Sequence, residues 1–181
     1  MSVAKSPAKV VARTPTIPSR KAASGAIVAK PLLRKSATST VKAATGQWIA
    51  FSKSVLHDEP AVRILHIRKG AKAKSMVGAA NTLGVSREAI FGLVGLPTST
   101  ANRKIAKDET LEIPITERLA RLALVEREAE DTFGDPETAK AWLLSTNTGL
   151  GGCTPFSMLD TDVGAREVTK ALMAIAYGGV V

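Results

Sequence analysis

The sequence predicts an all-α fold: a helix-turn-helix N-terminal domain, then a second small helical domain, behind a disordered basic tail. Three observations predict it. From Pro60 to Tyr177 the apolar residues recur at helical spacing, and no strand-length alternation competes with them. Glycine, proline and Ser/Thr/Asp residues punctuate that pattern where helices start and stop. The charge is split as well: residues 1–57 hold ten Lys/Arg and no acid, leaving fifteen basic and sixteen acidic residues for 58–181. The net charge of +9 therefore belongs to the tail, which suits a polyanion such as nucleic acid, or simply keeps the chain soluble.

Taken in order, residues 1–45 are rich in Ala, Ser, Thr, Lys and Pro without apolar periodicity and are expected to be disordered. A short helix is expected over Gln47–Leu56. Asp58 suits an N-cap with Pro60 in the first turn; Val62, Leu65 and Lys69 then mark a helix ending at Gly70. Met76, Ala80 and Leu83 mark the next, stopped by Gly84. Ser86 caps a third, with Ile90, Leu93 and Val94 inward and Gly95 at its end. Pro97 opens a fourth, with Ala101 and Ile105 on its inner face. Thr116 is the expected cap of a long helix reaching Phe133, with Leu119, Leu122, Ala123 and Ala129 inward and Gly134 as its stop. Asp135-Pro136 starts another helix to about Leu144, and Thr154-Pro155 starts a short apolar one. The last helix begins near Asp162, carries Val168, Leu172 and Ile175 as a stripe, and ends at Tyr177.

Composition excludes several classes. No run of 18 apolar residues exists, so no transmembrane helix is expected, and the N-terminus has no apolar signal core. A single cysteine, Cys153, cannot form an internal disulfide and fits a reducing cytoplasm. With only His57 and His66, no metal-ligand spacing occurs, and no cofactor is expected.

Two overlapping stretches fit a helix-turn-helix. In one, Ala80, Gly84, Val85, Ile90 and Leu93 hold the structural positions; in the other, Phe91, Gly95, Leu96, Ala101 and Ile105 do. A recognition helix must present donors to bases and phosphates. The helix after Ser86 is mostly Ile90, Phe91, Leu93 and Val94, which reads as core. The helix Thr98–Lys107 offers Thr98, Ser99, Thr100, Asn102, Arg103, Lys104 and Lys107, and is expected to be the DNA reader. Asn102 and Arg103 suit base edges; Lys104 and Lys107 suit phosphates.

The glycine-rich run Asn147–Val168 raises the question of catalysis. Gly149-Leu150-Gly151-Gly152 lacks the lysine and hydroxyl of a phosphate-binding loop, and no strand precedes it. Cys153 has no histidine in its half of the chain, and Asp160 and Asp162 sit where a helix start favours negative charge. No catalytic residues are expected.

The ordered pieces Phe133-Gly134-Asp135, Ala141-Trp142-Leu143, Asn147 with Leu150-Gly151-Gly152, Thr154-Pro155, Leu159, Thr161-Asp162, Gly164-Ala165 and Tyr177-Gly178-Gly179-Val180 resemble the toxin-binding domain of Xre/MbcA/ParS-type antitoxins. The preceding "LGVSREAIFGLVGLPTSTANRKIA" is similar to that family's Xre-like helix-turn-helix. The resemblance implies three segments: a disordered basic tail (1–57), a DNA-binding and dimerisation domain (58–114) and a toxin-binding domain (115–181). It implies a homodimeric antitoxin of a type II toxin–antitoxin system. Such a protein neutralises a RES-domain toxin that consumes NAD or transfers its ADP-ribose, and it autoregulates its operon through operator DNA. It places the antitoxin's C-terminus at or near the toxin's active site, which points to Tyr177, Gly178, Gly179, Val180 and Val181. The alternative is a stand-alone transcriptional regulator without a toxin.

Overall fold

The computed structural model describes residues 34–57 and 59–178. Residues 1–33 of the expected tail, Asp58 as a cap, and Gly179, Val180 and Val181 of the expected toxin-binding end lie outside the described residues.

The chain is helical from Arg34 onward. Helix α1 covers Arg34–Val55, α2 Pro60–Lys69, α3 Lys74–Leu83, α4 Arg87–Val94 and α5 Thr98–Lys107. Helix α6 covers Ile113–Phe133, α7 Pro136–Leu144 and α8 Asp162–Ala176, with 3-10 turns at Thr148–Leu150 and Pro155–Asp160 between the last two. Among the described residues, extended pairing is limited to one isolated antiparallel bridge, Lys72 with Thr110.

Local chemistry sets most of the boundaries. The Ser86, Asp135, Thr154 and Thr161 side chains accept hydrogen bonds from the amides of Ala89, Thr138, Ser157 and Gly164, so each occupies one donor orphaned at a helix start. Gly84 and Gly95 take left-handed φ of 72° and 71° and end α3 and α4, which makes the two tight turns of the helix-turn-helix region.

Three expectations are corrected. The tail does not extend to residue 57: α1 begins ahead of the short helix expected at Gln47 and buries Ala44, Trp48, Phe51 and Val55 against α3 and α6. Those four residues follow helical i, i+4, i+7, i+11 spacing, which makes one apolar face. Helix α2 forms as expected, but Leu65 is 68% exposed and no residue of the helix is buried; Ile67 makes its partial contact with the core instead. Thr116 is not the cap of α6. The helix starts at Ile113 with Pro114 in its first turn, and Thr116 is buried inside it. There its hydroxyl accepts from the Ala71 amide at 3.2 Å and donates to the Leu111 carbonyl at 3.4 Å, joining α6 to the segment before α3.

The described residues all lie in one compact unit, Leu33–Val181. Helix α6 is its shared element. It touches α1, α2 and α4 toward the N-terminal half and α7, α8 and the Pro155–Asp160 turn toward the C-terminal half. Leu119, Leu122, Ala123 and Ala129 of α6 are buried, as their spacing predicts.

Candidate functional site

The two helix-turn-helix registers are separated by burial. In α4, Ile90, Phe91, Leu93 and Val94 are all buried, so this helix is core. In α5, Ala101 is buried and Ile105 is half-buried, whereas Thr98, Ser99, Asn102, Arg103 and Lys107 are exposed and Thr100 is partly so. Pro97 at the N-cap gives no side-chain hydrogen bond, so the amides at the start of α5 keep their capacity to meet an anion beside Thr98, Ser99 and Thr100.

Lys104 departs from its expected role. Its side chain is 9% exposed, and its ammonium donates to Glu112 at 2.7 Å and Glu109 at 3.4 Å. The hydrogen bond it donates to Glu112 outweighs burial and, with that to Glu109, raises the lysine above its ordinary pKa. The same contact lowers Glu112. A charge held this way is engaged inside the protein, where it seats α5 on the loop that follows it. The sequence signal was present: Lys104 lies three residues after Ala101 and one before Ile105, on the inward stripe. Arg103 remains on the outer face with a single exposed pairing to Glu109 at 3.2 Å. Such pairs contribute little and exchange readily for another anion.

The far end of α5 is anchored by Asp108, which caps it at φ 48°. Its carboxylate accepts from Gln47 Nε2 at 3.0 Å and from the Lys74 amide at 3.4 Å, and pairs with the Lys74 ammonium at 3.6 Å. Burial pushes this carboxyl up, but the bonds from Gln47 and Lys74 prevail and hold it below the usual range. Thus α1 and α3 both fix the helix that presents Asn102 and Arg103. Backbone bonds from Ala73 N to Glu109 O (2.9 Å) and Leu111 N to Ala71 O (2.8 Å) complete the clasp.

The second surface is the C-terminal end. The glycine-rich run is a set of caps and turns: Asn147 Oδ1 accepts from Gly149 N at 2.8 Å, and Gly152 N donates to Asn147 O at 2.9 Å. Cys153 is exposed within it. At the start of α8, Gly164 lies against the Met158 backbone so closely that a Cβ there would collide with it. The turn therefore fixes where α8 begins and how it runs. Val168 and Leu172 face the core, Ile175 is half-buried, and the helix ends with Tyr177 90% exposed and Gly178 beyond it. Among the described residues no group of His, Cys, Asp and Glu is arranged to hold a metal, and no helix is long and apolar enough to cross a membrane.

Two segments of the chain match known families. Residues 62–124 match the antitoxin Xre-like helix-turn-helix domain, and residues 128–178 match the antitoxin Xre/MbcA/ParS C-terminal toxin-binding domain. A "Prs ADP-ribosylating antitoxin" of Sphingobium sp. (strain YBL2) is 33% identical over 135 residues, covering 70% of this chain and 85% of that protein. An "Antitoxin Xre" of Pseudomonas putida (strain KT2440) is 35% identical over 46% of this chain and 52% of its own length. A second "Antitoxin Xre", from Photorhabdus laumondii, is 32% identical over 49% of this chain and 61% of its own length. With its helix-turn-helix and toxin-binding segments carried on one shared helix, the chain belongs to the Xre/MbcA/ParS family of antitoxins.

Proposed function

We propose that this protein is a cytoplasmic antitoxin of a type II system that neutralises a RES-domain toxin by direct binding. The toxin would consume NAD or transfer its ADP-ribose, a chemistry that the name of the Sphingobium relative supports. The protein acts as a binding partner rather than an enzyme. The observation that carries this reading is the match of residues 128–178 to the toxin-binding domain, with Tyr177 exposed near the end of the matched segment. Tyr177, Gly178, Gly179, Val180 and Val181 are the residues assigned to contact with the toxin, at or near its active site, with the exposed Tyr177 leading them. Co-expression with the neighbouring open reading frame is the test. The neighbour alone should arrest growth and the pair should grow; a neighbour harmless by itself overturns the reading. Deleting Gly178–Val181 should weaken rescue while leaving the melting temperature of the antitoxin unchanged, because these residues follow the last buried stripe.

The DNA-binding half is assigned to autoregulation, with a homodimer placing two copies of α5 on the operator. Thr98, Ser99, Thr100, Asn102, Arg103 and Lys107 form its reading face, with Lys104 as a buried anchor. The six Lys/Arg of residues 1–33 add affinity for any DNA. Arg103→Ala should cost about 1–3 kcal/mol on the operator and less on random DNA, if it grips a guanine edge. Lys107→Ala should reduce the salt slope of binding by about 1, whereas Lys104→Met should lower the melting temperature and leave the slope unchanged. Filter binding across a salt series separates these outcomes. The polar outer face of α5 also favours a second reading, a stand-alone regulator, and a gene neighbourhood without a toxin would select it.

A further inference from the structure

An open groove of about 550 Å³ lies where the two halves of the protein meet. One wall comes from Leu56 and Arg63, ahead of and within α2; the others come from α6 and α8. Apolar atoms of Leu56, Leu124, Val125, Ala165 and Met173 line it. Around them stand five cations, Arg63, Arg121, Arg127, Arg166 and Lys170, against two carboxylates, Glu128 and Asp131.

Those carboxylates are already engaged. Glu128 Oε2 accepts from Thr169 Oγ1 at 2.7 Å, and Asp131 pairs with Arg127 at 3.1 Å. The cations on α8 are held more loosely. Arg166 with Asp162 and Lys170 with Glu167 are exposed pairs within one helix, which exchange for another anion at little cost. Arg63 donates one nitrogen to the His57 carbonyl at 3.0 Å, while its Nε is buried without a partner. The groove thus combines an apolar lining with an excess of positive charge. It also continues past its own end: Met173, 53% exposed, stands one turn before Tyr177, so the apolar strip runs on along α8 to the C-terminal end.

Resting on the antitoxin reading above, we propose that this groove receives an acidic, apolar-faced segment of the toxin, so that the toxin is held by α2 of the DNA-binding half as well as by the toxin-binding segment. Charge complementarity selects the occupant: carboxylates flanking apolar side chains match cations flanking an apolar lining. A second copy of this chain meeting the groove about a two-fold axis would set the same cations against each other. A small molecule would leave the strip from Met173 to Tyr177 uncovered, whereas a protein segment continues along it.

The test measures the affinity of the purified full-length chain for the adjoining gene's product by calorimetry at two salt concentrations. The double variant Arg166→Glu/Lys170→Glu and, separately, Met173→Asp should each weaken binding at least about tenfold, and the double variant should lose most of the salt dependence. Unchanged melting temperatures are expected, since all three side chains are exposed. Arg87→Glu, on the exposed side of α4, should bind like the parent. If the parent binds and both groove variants bind equally well, the groove proposal fails and the antitoxin reading stands. Groove variants that alter self-association and leave toxin affinity unchanged also overturn it. A parent that does not bind at all overturns the antitoxin reading and the groove with it.

Discussion

Trp48→Ala is expected to remove about 3–5 kcal/mol of stability, enough to unfold much of a marginal domain at physiological temperature. Trp48 is 2% exposed and stacks at a tilt on Phe51, with ring centroids 6.0 Å apart. Its helix approaches α3 so closely at Gly78 that a Cβ there would collide with the Ala44 carbonyl and the Trp48 Cβ. A backbone packed that tightly cannot move in to fill the space a missing indole leaves, so the cavity cost is added to the lost transfer energy. Urea melts of parent and variant check it. A variant that melts like the parent would mean that α1 is a peripheral attachment. If α5 reads DNA as proposed, loss of DNA binding in the same variant at 37 °C would follow from the link between Gln47 and Asp108, which seats the end of α5 on α1.

Glu126→Gln is expected to make the protein more stable at alkaline pH by about 3 kcal/mol, with little difference near pH 4. Glu126 is 8% exposed on α6, in a cavity walled by Trp48, Ile49, Ser52 and Leu56 of the α1 region. Burial, helped by the neighbouring Glu130 and opposed by Lys140, raises its carboxyl from 4.5 to about 7. Lys53, Arg127 and Glu130 also border the cavity. Because the folded pKa exceeds the unfolded one, the folded state binds the proton more tightly. Its contribution is complete below the unfolded value of 4.5 and is lost as the pH rises through about 7. Melting temperatures of parent and variant at pH 5 and pH 8 test this. The parent should lose stability across that window, and the glutamine variant should lose much less. Parallel profiles would show that the folded protein accommodates the charged carboxylate.

The features legible in the sequence were those written within four residues. Ser86, Asp135 and Thr154 cap their helices through amides three positions on, and Gly84 and Gly95 stop theirs through their own φ, so local chemistry decides each. The features missed are decided by partners far along the chain. Thr116 has the composition of a cap, but Ala71, 45 residues away, takes its hydroxyl inside the helix. Leu65 continues an apolar pattern, yet nothing among the described residues covers it. Charge groups Lys104 with Lys107 as a phosphate contact, although its spacing from Ala101 sets it inward. Composition obscures helix α1: Ala, Ser, Thr and Lys around it read as low complexity, and the pattern shows a helix only from Gln47, leaving Ala44 of the stripe Ala44, Trp48, Phe51 and Val55 outside it.

The helix-turn-helix match ends at residue 124 and the toxin-binding match begins at 128, so the seam between them falls inside α6, Ile113–Phe133. At 21 residues this helix is a shaft about 30 Å long, buried on both sides of the seam. Recombination between relatives at that seam would join two half-helices whose buried faces were selected against different neighbours. A chimera that exchanges the toxin-binding segment and stays folded should therefore cross over in the loop before Ile113 or at Gly134, carrying α6 as a single inheritance.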